Sequence, residues 1–274
     1  MQAVRLAFTR RWLGILLFTT VFAAASVALG EWQFDRRDYA QQQIRMLDNN
    51  YDLVPGQIDL IIADIDDEPN DSKWRSVKLT GEYLDDATTY VRNRVKQGTI
   101  GLEQLVPFKL VSGEIVIVDR GWVPADDKYE SPRVTPETPD GEVTVIARLY
   151  PDEPVVEGRS APEGQIATIN ADTFAETLDA PVYTGLYGQL VSETPVSATG
   201  SLWSRPLLDE GPHLSYALQW YVFALMGYFG YGWALVNEAR GESPIKGTRK
   251  RRLRTAERKT DEDFEDAAIE AVRR

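Results

Sequence analysis

The sequence has no cysteine and a single histidine among its 274 residues. Without cysteine there are no disulfides, no thiolate metal sites, no covalent c-type haem attachment and no CxxC redox chemistry. With one histidine, a zinc or copper centre built from protein ligands alone is left without its usual donors. A folded region outside the cell must then be held by its packed core, and about 180 residues suffice to build one. Also missing are a phosphate-binding glycine loop, an HExxH helix and a Ser-His-Asp signature. The chain is therefore expected not to be an enzyme. The paired carboxylates Asp66-Asp67, Asp85-Asp86 and Asp126-Asp127 sit in polar turn sequence and read as solvated loop charges.

Positive charge is scarce in the middle of the chain. Residues 31–212 carry 33 acidic and 16 basic side chains, whereas the two ends together carry 14 basic and 9 acidic ones. A nucleic-acid binder concentrates its basic residues on the folded part, so nucleic acid is excluded as a partner. Segregation of this kind is usual when a chain crosses a membrane and returns.

Two long stretches carry no charge. Residues 214–236 follow Gly211-Pro212 and His213; at a helical rise of about 1.5 Å they reach about 34 Å, enough for a bilayer core of about 30 Å. Proline suits the first helical position, where the amide it lacks has no partner anyway. Residues 12–30 reach about 28 Å, with Trp12 and Trp32 as interfacial anchors. That first run also reads as a signal peptide with a small-residue cleavage site at Ala25-Ser-Val-Ala28, although it is long for one. Arg5, Arg10 and Arg11 precede it, and Arg240, Lys246 and the basic block 249–254 follow the second run. Cytoplasmic flanks collect Lys and Arg, which puts both termini inside the cell membrane and the middle outside. Trp233 on the inner side and Trp220 on the outer complete an aromatic belt. The block 249–254 reads as a topology signal in contact with anionic lipid, and the acidic run 261–266 as a solvated end.

Segments between these runs have β-like patterning. Residues 31–47 lack Gly and Pro and continue the first helix until Asp48-Asn49-Asn50. Strands are predicted at 58–62, 74–83, 89–95, 102–110, 114–119, 142–150, 165–169 and 182–191, with one helix at 172–178 capped by Asn170. The fold class is a membrane protein: a two-helix transmembrane hairpin with an extracytoplasmic β-dominated α+β domain. Its parts are a cytoplasmic N-terminus 1–11, a span 12–30, the outer domain 31–212, a span 213–236 and a charged cytoplasmic tail 237–274.

His213 is the one residue that invites chemistry. It reads either as an interfacial histidine or as a haem iron ligand. A helix N-terminus favours the neutral, metal-binding imidazole, while Asp209 and Glu210 oppose that effect. Ala217, Trp220, Ala224, Gly227 and Tyr231 share its helical face. This stripe reads as room for a flat macrocycle and as the groove where the first helix packs, and the two are not exclusive. Met226 lies about 20 Å along the same helix, too far to bind the same iron, so a haem would take one ligand from this chain. Arg36, just past the first span, would meet either a haem propionate, a lipid headgroup or a nearby carboxylate.

Four motifs stand in order. They are Gly30-Glu-Trp32-Gln33-Phe-Asp-Arg36; Trp74-Arg75, Gly81 and Asn93-Arg94 with Gly101 and Pro107; Arg120-Gly-Trp-Val-Pro124; and His213-Leu-Ser-Tyr216-Ala-Leu-Gln219-Trp220. Through most of residues 12–238 the chain resembles the Surfeit locus protein 1 family of cytochrome c oxidase biogenesis proteins. The family's usual N-R-G-W-V-P has Asp119 in the asparagine position here. A lysine common after the first motif is replaced in the neighbourhood of Tyr39 and Ala40, and the charged tail is longer than usual. The resemblance implies an assembly factor for a heme-copper oxidase that holds heme a and aids its insertion. His213 falls in the role of iron ligand, with Tyr216, Trp220, Trp32, Gln33 and Arg36 as further cofactor-binding candidates. The implied partners are the oxidase catalytic subunit, heme a synthase and membrane lipid. The alternative is a non-haem accessory or structural subunit of the oxidase complex.

Overall fold

The computed structural model describes residues 2–126, 128, 131–156 and 158–242. The basic block 249–254, the acidic run 261–266 and Asp127 lie outside the described residues. Two compact units divide the chain: Met1–Phe34 with Leu214–Arg274, and Asp35–His213.

The first unit is helical. A short helix α1 (Gln2–Ala7) precedes α2 (Arg10–Asn50), which continues as one helix into the second unit, and α4 (His213–Ala239) returns late in the chain. As expected, α2 runs through 31–47 and ends at Asn50. Its buried residues in this unit are Trp12, Thr19, Ala23, Ser26 and Gly30, a heptad-like spacing of mostly small side chains that lets another helix approach closely. The approaching helix is α4, running the opposite way. Trp12 lies edge-on to Tyr231 with ring centroids 5.5 Å apart. A Cβ on Gly227 would stand 3.4 Å from Thr19 and 3.5 Å from Phe22. Tyr228 Oη donates to Thr20 Oγ1 at 3.2 Å.

Of these helices, α2 is long and apolar enough to cross a membrane. The 27-residue α4 has the length, but its Trp, Tyr, Gly, Ser and Gln residues lower its apolarity.

The second unit is a β-rich domain. Its strands are β1 (Gly56–Gln57), β2 (Ser76–Tyr83), β3 (Thr89–Lys96), β4 (Thr99–Leu110), β5 (Ile115–Pro124), β6 (Val143–Pro151), β7 (Gln165–Ile166) and β8 (Leu186–Thr194). They form one sheet in the order β1-β2-β6-β8-β5-β4-β3-β7, and β2 pairs with β4 as well. That last pairing closes β2, β6, β8, β5 and β4 into a five-stranded barrel, which removes the exposed edges those strands would otherwise have. The long strand β4 makes the closure possible by changing partner. Its first half pairs with β3 and its last residues, Phe108–Leu110, with Tyr83–Gly81 of β2. Gly81 sits at the junction, where an added Cβ would meet the Lys109 carbonyl oxygen at 1.9 Å.

Strand β5 shows why its sequence is a continuous apolar run. Val116 and Val118 face the barrel core with Phe108, Leu79 and Leu149, while Ile115 and Ile117 face a second cluster with Phe174, Ile169 and Val91. A strand buried on both faces has no reason to alternate.

Several predicted elements differ. Residues 58–62 are not a strand but a 3-10 turn, Ile58–Leu60, whose Ile58 carbonyl accepts from the amides of Ile61 and Ile62. Ile58 and Ile62, one helical turn apart, are both buried. Strand β2 starts at Ser76, because Trp74 has φ 66°. Gly185 at φ 74° interrupts 182–191, so β8 begins one residue later. The helix near 172 is the short α3 (Asp172–Ala175), with Asn170 Oδ1 accepting from the Asp172 amide at 3.1 Å.

Candidate functional site

In the β-rich unit, His213 is half-buried at the first position of α4. Its ring lies against Gly211, where an added Cβ would stand 3.3 Å from Nε2. The residues before it form an irregular strap along α2. Lys96 Nζ donates at 2.8 Å to Ser201 O, Ser201 Oγ and Leu202 O, fastening the start of the strap to β3. Arg205 then grips Asp48 (2.6 Å) and Asp52 (2.7 Å). Glu210 in turn accepts from Arg37 Nε and Gln41 Nε2, both at 3.0 Å. Each grip takes two residues four positions apart, Arg37 and Gln41 on α2, and Asp48 on α2 with Asp52 in the turn just after it. Five extended residues from 205 to 210 reach about 17 Å, and the eleven helical positions between the two grips rise about 17 Å as well. The two grips therefore match in spacing along the strap and along α2. Arg36, beside that grip, is exposed.

Hydrogen bonds from Gln41 and then Arg37 hold the Glu210 carboxyl below the ordinary carboxylate range. The Asp209 carboxylate accepts from the Gly211 amide at 2.7 Å. Both acids beside His213 therefore already have donors within their own unit.

In the helical unit, the first motif meets α4 at Tyr221, the residue after the last motif. Its hydroxyl donates to Glu31 Oε1, its ring lies 6.2 Å from that of Phe34, and a Cβ on Gly30 would stand 2.9 Å from it. Trp32 and Tyr216 are exposed over 52% and 49% of their surface. Gln33 is half-buried, and Trp220 is half-buried with its ring edge-on to Phe223 at 5.7 Å. Ala217 and Ala224 are buried, and Gly227 and Tyr231 touch α2, so the stripe is the groove that receives α2. Trp12 likewise is buried against Tyr231 instead of reaching outward as an interfacial anchor.

The outer-domain motifs serve the barrel. Arg120 is fully buried and pairs with Glu193 at 2.8 Å. Glu193 also accepts from Tyr83 (2.8 Å) and Ser197 (2.5 Å). Burial alone would raise the Glu193 carboxyl, but the bonds from Arg120, Ser197 and Tyr83 outweigh it and hold it low. Gly121, at φ 101°, comes so close to Gly200 that a Cβ on Gly200 would stand 2.6 Å from its backbone. Trp122 Nε1 donates to Arg94 O at 2.9 Å, and Arg94 pairs with Glu103 (2.8 Å) and Glu153 (2.7 Å). Burial pushes the Glu103 carboxyl up to about 8, with the Asp119 charge adding to the rise. Burial also raises Asp119 to about 6, although it accepts from the Gly121 amide at 2.8 Å. No cluster of metal-ligating side chains occurs among the described residues.

The SURF1 family model matches residues 20–225, a stretch that holds both the barrel and the His213 strap. The chain belongs to the SURF1 family. It is 32% identical over 243 residues to an uncharacterized SURF1-like protein of Mycobacterium bovis, covering 86% of this chain and 88% of that one. Uncharacterized SURF1-like proteins of two Mycobacterium tuberculosis strains align to the same extent. A SURF1-like protein of Rickettsia felis is 23% identical over 207 residues, covering 73% of this chain and 87% of that one.

Two groups of residues were not singled out from sequence. Arg37 and Gln41, the partners of Glu210, left a faint signal in their one-turn spacing. Glu193 left none, because its partner Arg120 is 73 residues away.

Haem, the group that the family resemblance implies, requires one accessible imidazole nitrogen. His213, the one imidazole in the sequence, is half-buried and is the donor type that haem iron takes.

Proposed function

We propose that this chain is a non-enzymatic assembly factor for a heme-copper cytochrome c oxidase, which holds heme a through His213 and aids its insertion into the catalytic subunit. The SURF1 family is known broadly for cytochrome oxidase assembly, and the chain's membership supports that part of the reading. The observation that carries the finer part is the lone histidine. It opens α4 at the end of the strap, and its acidic neighbours Glu210 and Asp209 are already engaged. When bound, heme a would supply an iron that takes a nitrogen ligand, and His213 would offer that nitrogen. Arg36 is assigned to a propionate by charge-assisted contact, and Trp32, Gln33, Tyr216 and Trp220 are further contact residues that the resemblance adds.

In this reading α2 and α4 both cross the cell membrane, with both termini cytoplasmic and the barrel domain outside. Besides the catalytic subunit, heme a synthase is the partner from which the pigment would come.

The test is the absorption spectrum of protein purified from cells that make heme a, recorded beside His213→Ala. Haem in the wild type and its loss in the variant are expected. Equal haem content in the two ends the ligand assignment. No haem in either, with stoichiometric co-purification of mature oxidase, is the result expected of an accessory subunit instead.

A further inference from the structure

We infer that the cytoplasmic end of the helical unit is a binding site for the phosphodiester of an anionic membrane phospholipid, held between Arg5 and Arg240. A cavity of about 580 Å³ lies between α1 and the last turn of α4. That size falls within the range of ordinary small-molecule sites. One wall is a single stripe of α1 and the residues after it: Gln2, Arg5, Leu6 and Thr9, at the three- and four-residue spacing that puts side chains on one helical face. Val4 and Phe8, on the other face, are 63% and 73% exposed. This is the pattern of a short helix lying in a membrane surface, with its apolar side toward acyl chains and its polar side toward headgroups.

The opposite wall runs from Glu238 through Gly241. The end of α4 would ordinarily repel an anion through its free carbonyls. Here the amides of Arg240, Gly241 and Glu242 bond back to Val236, Glu238 and Asn237. The Glu238 carboxylate is also taken, by Arg11 at 3.1 Å, and its second oxygen is buried. Arg5 and Arg240 are both exposed and make no ion pair among the described residues. The cavity therefore presents two guanidiniums and one partly exposed carboxylate, Glu238, which Arg11 already pairs. That chemistry accepts a phosphodiester and leaves no unpaired cavity carboxylate for the ammonium of a zwitterionic headgroup, so the headgroup should be of the glycerol type. The inference stands apart from haem, and it requires that α2 cross the membrane.

The test uses the full chain, delipidated in detergent and titrated with phosphatidylglycerol or phosphatidylethanolamine, with bound lipid counted by native mass spectrometry. The wild type should retain phosphatidylglycerol selectively. Arg5→Gln and Arg240→Gln should each lower that retention about fivefold, while Arg10→Gln, outside the cavity, should leave it unchanged. An equal loss in Arg10→Gln would show diffuse attraction to basic residues and overturn the site. Displacement of the lipid by soluble glycerol 3-phosphate would make a free phosphoester the ligand and overturn the lipid assignment. Absence of selectivity in the wild type would overturn it outright. Arg5→Lys keeps the charge but not the two-pronged donor and should give an intermediate loss, and thermal unfolding of each variant should match the wild type.

Discussion

Arg37 Nε donates to Glu210 Oε2 at 3.0 Å, tying the third residue before His213 to α2. With Arg205 on Asp48 and Asp52, this bond determines how far along α2 the strap extends before α4 begins. The pairs are exposed, so each holds geometry more than it adds stability.

Arg37→Glu should therefore speed amide hydrogen exchange in residues 205–213 while leaving the barrel's melting temperature nearly unchanged. The swap Arg37→Glu with Glu210→Arg should restore protection. High salt should mimic the single variant by screening the pair. Exchange in the strap that is indifferent to both variant and salt would show that the grip is idle.

Arg120→Ala should destabilise the barrel domain by about 3–5 kcal/mol, because Glu193 would be left as a buried charge without its partner. Removing both, as Arg120→Met with Glu193→Gln, should cost less than the single change. Denaturant or thermal unfolding of the purified chain measures both.

Gly81→Ala should abolish the folded barrel. Its Cβ would meet a backbone oxygen of the paired strand at 1.9 Å, and β2 could not keep its register with β4. Loss of soluble, protease-resistant domain after detergent extraction is the expected readout.

Stability should fall on the alkaline side. The folded-state values of Asp119 and Glu103 are raised, to about 6 and about 8. Their contribution is complete below the unfolded carboxyl range and is lost as pH rises through 6 and then 8. Glu193 acts in the opposite sense, since its lowered value contributes above the ordinary range and is lost on acidification. Melting temperatures between pH 5 and 9 should decline toward pH 9, and Glu103→Gln should flatten the upper part of that decline.

Absence of native cysteine makes helix pairing directly measurable. A Cβ at position 227 would stand 3.4 Å from Thr19 Cγ2, within reach of disulfide geometry. Thr19→Cys with Gly227→Cys should cross-link under mild oxidation, whereas Phe18→Cys with Gly227→Cys, on an exposed face of α2, should not.

Much of this architecture was legible in the chain. Charge segregation, the apolar stretches and the extension of the first helix past residue 31 are local properties, set by composition and by period over one element. Most strands were readable for the same reason, β5 through its unbroken Ile-Val run. Other features depended on residues far apart. The 3-10 turn at Ile58–Leu60 hid inside a β-branched run, and only the burial of Ile58 and Ile62 on one side reveals it. The face of α4 that carries Ala217, Ala224 and Gly227 fits two roles by sequence, and contact with Thr19 and Phe22 shows one of them. His213 stood out as the sole histidine, but the strap that holds its neighbours engaged required Glu210 to meet a helix 169 residues earlier. Closure of the barrel needed β4 to change partners beside a glycine, which no local pattern encodes. Sequence determined what each segment prefers; tertiary structure decided which preferences meet, because close packing and buried charge depend on the partner and not on the segment alone.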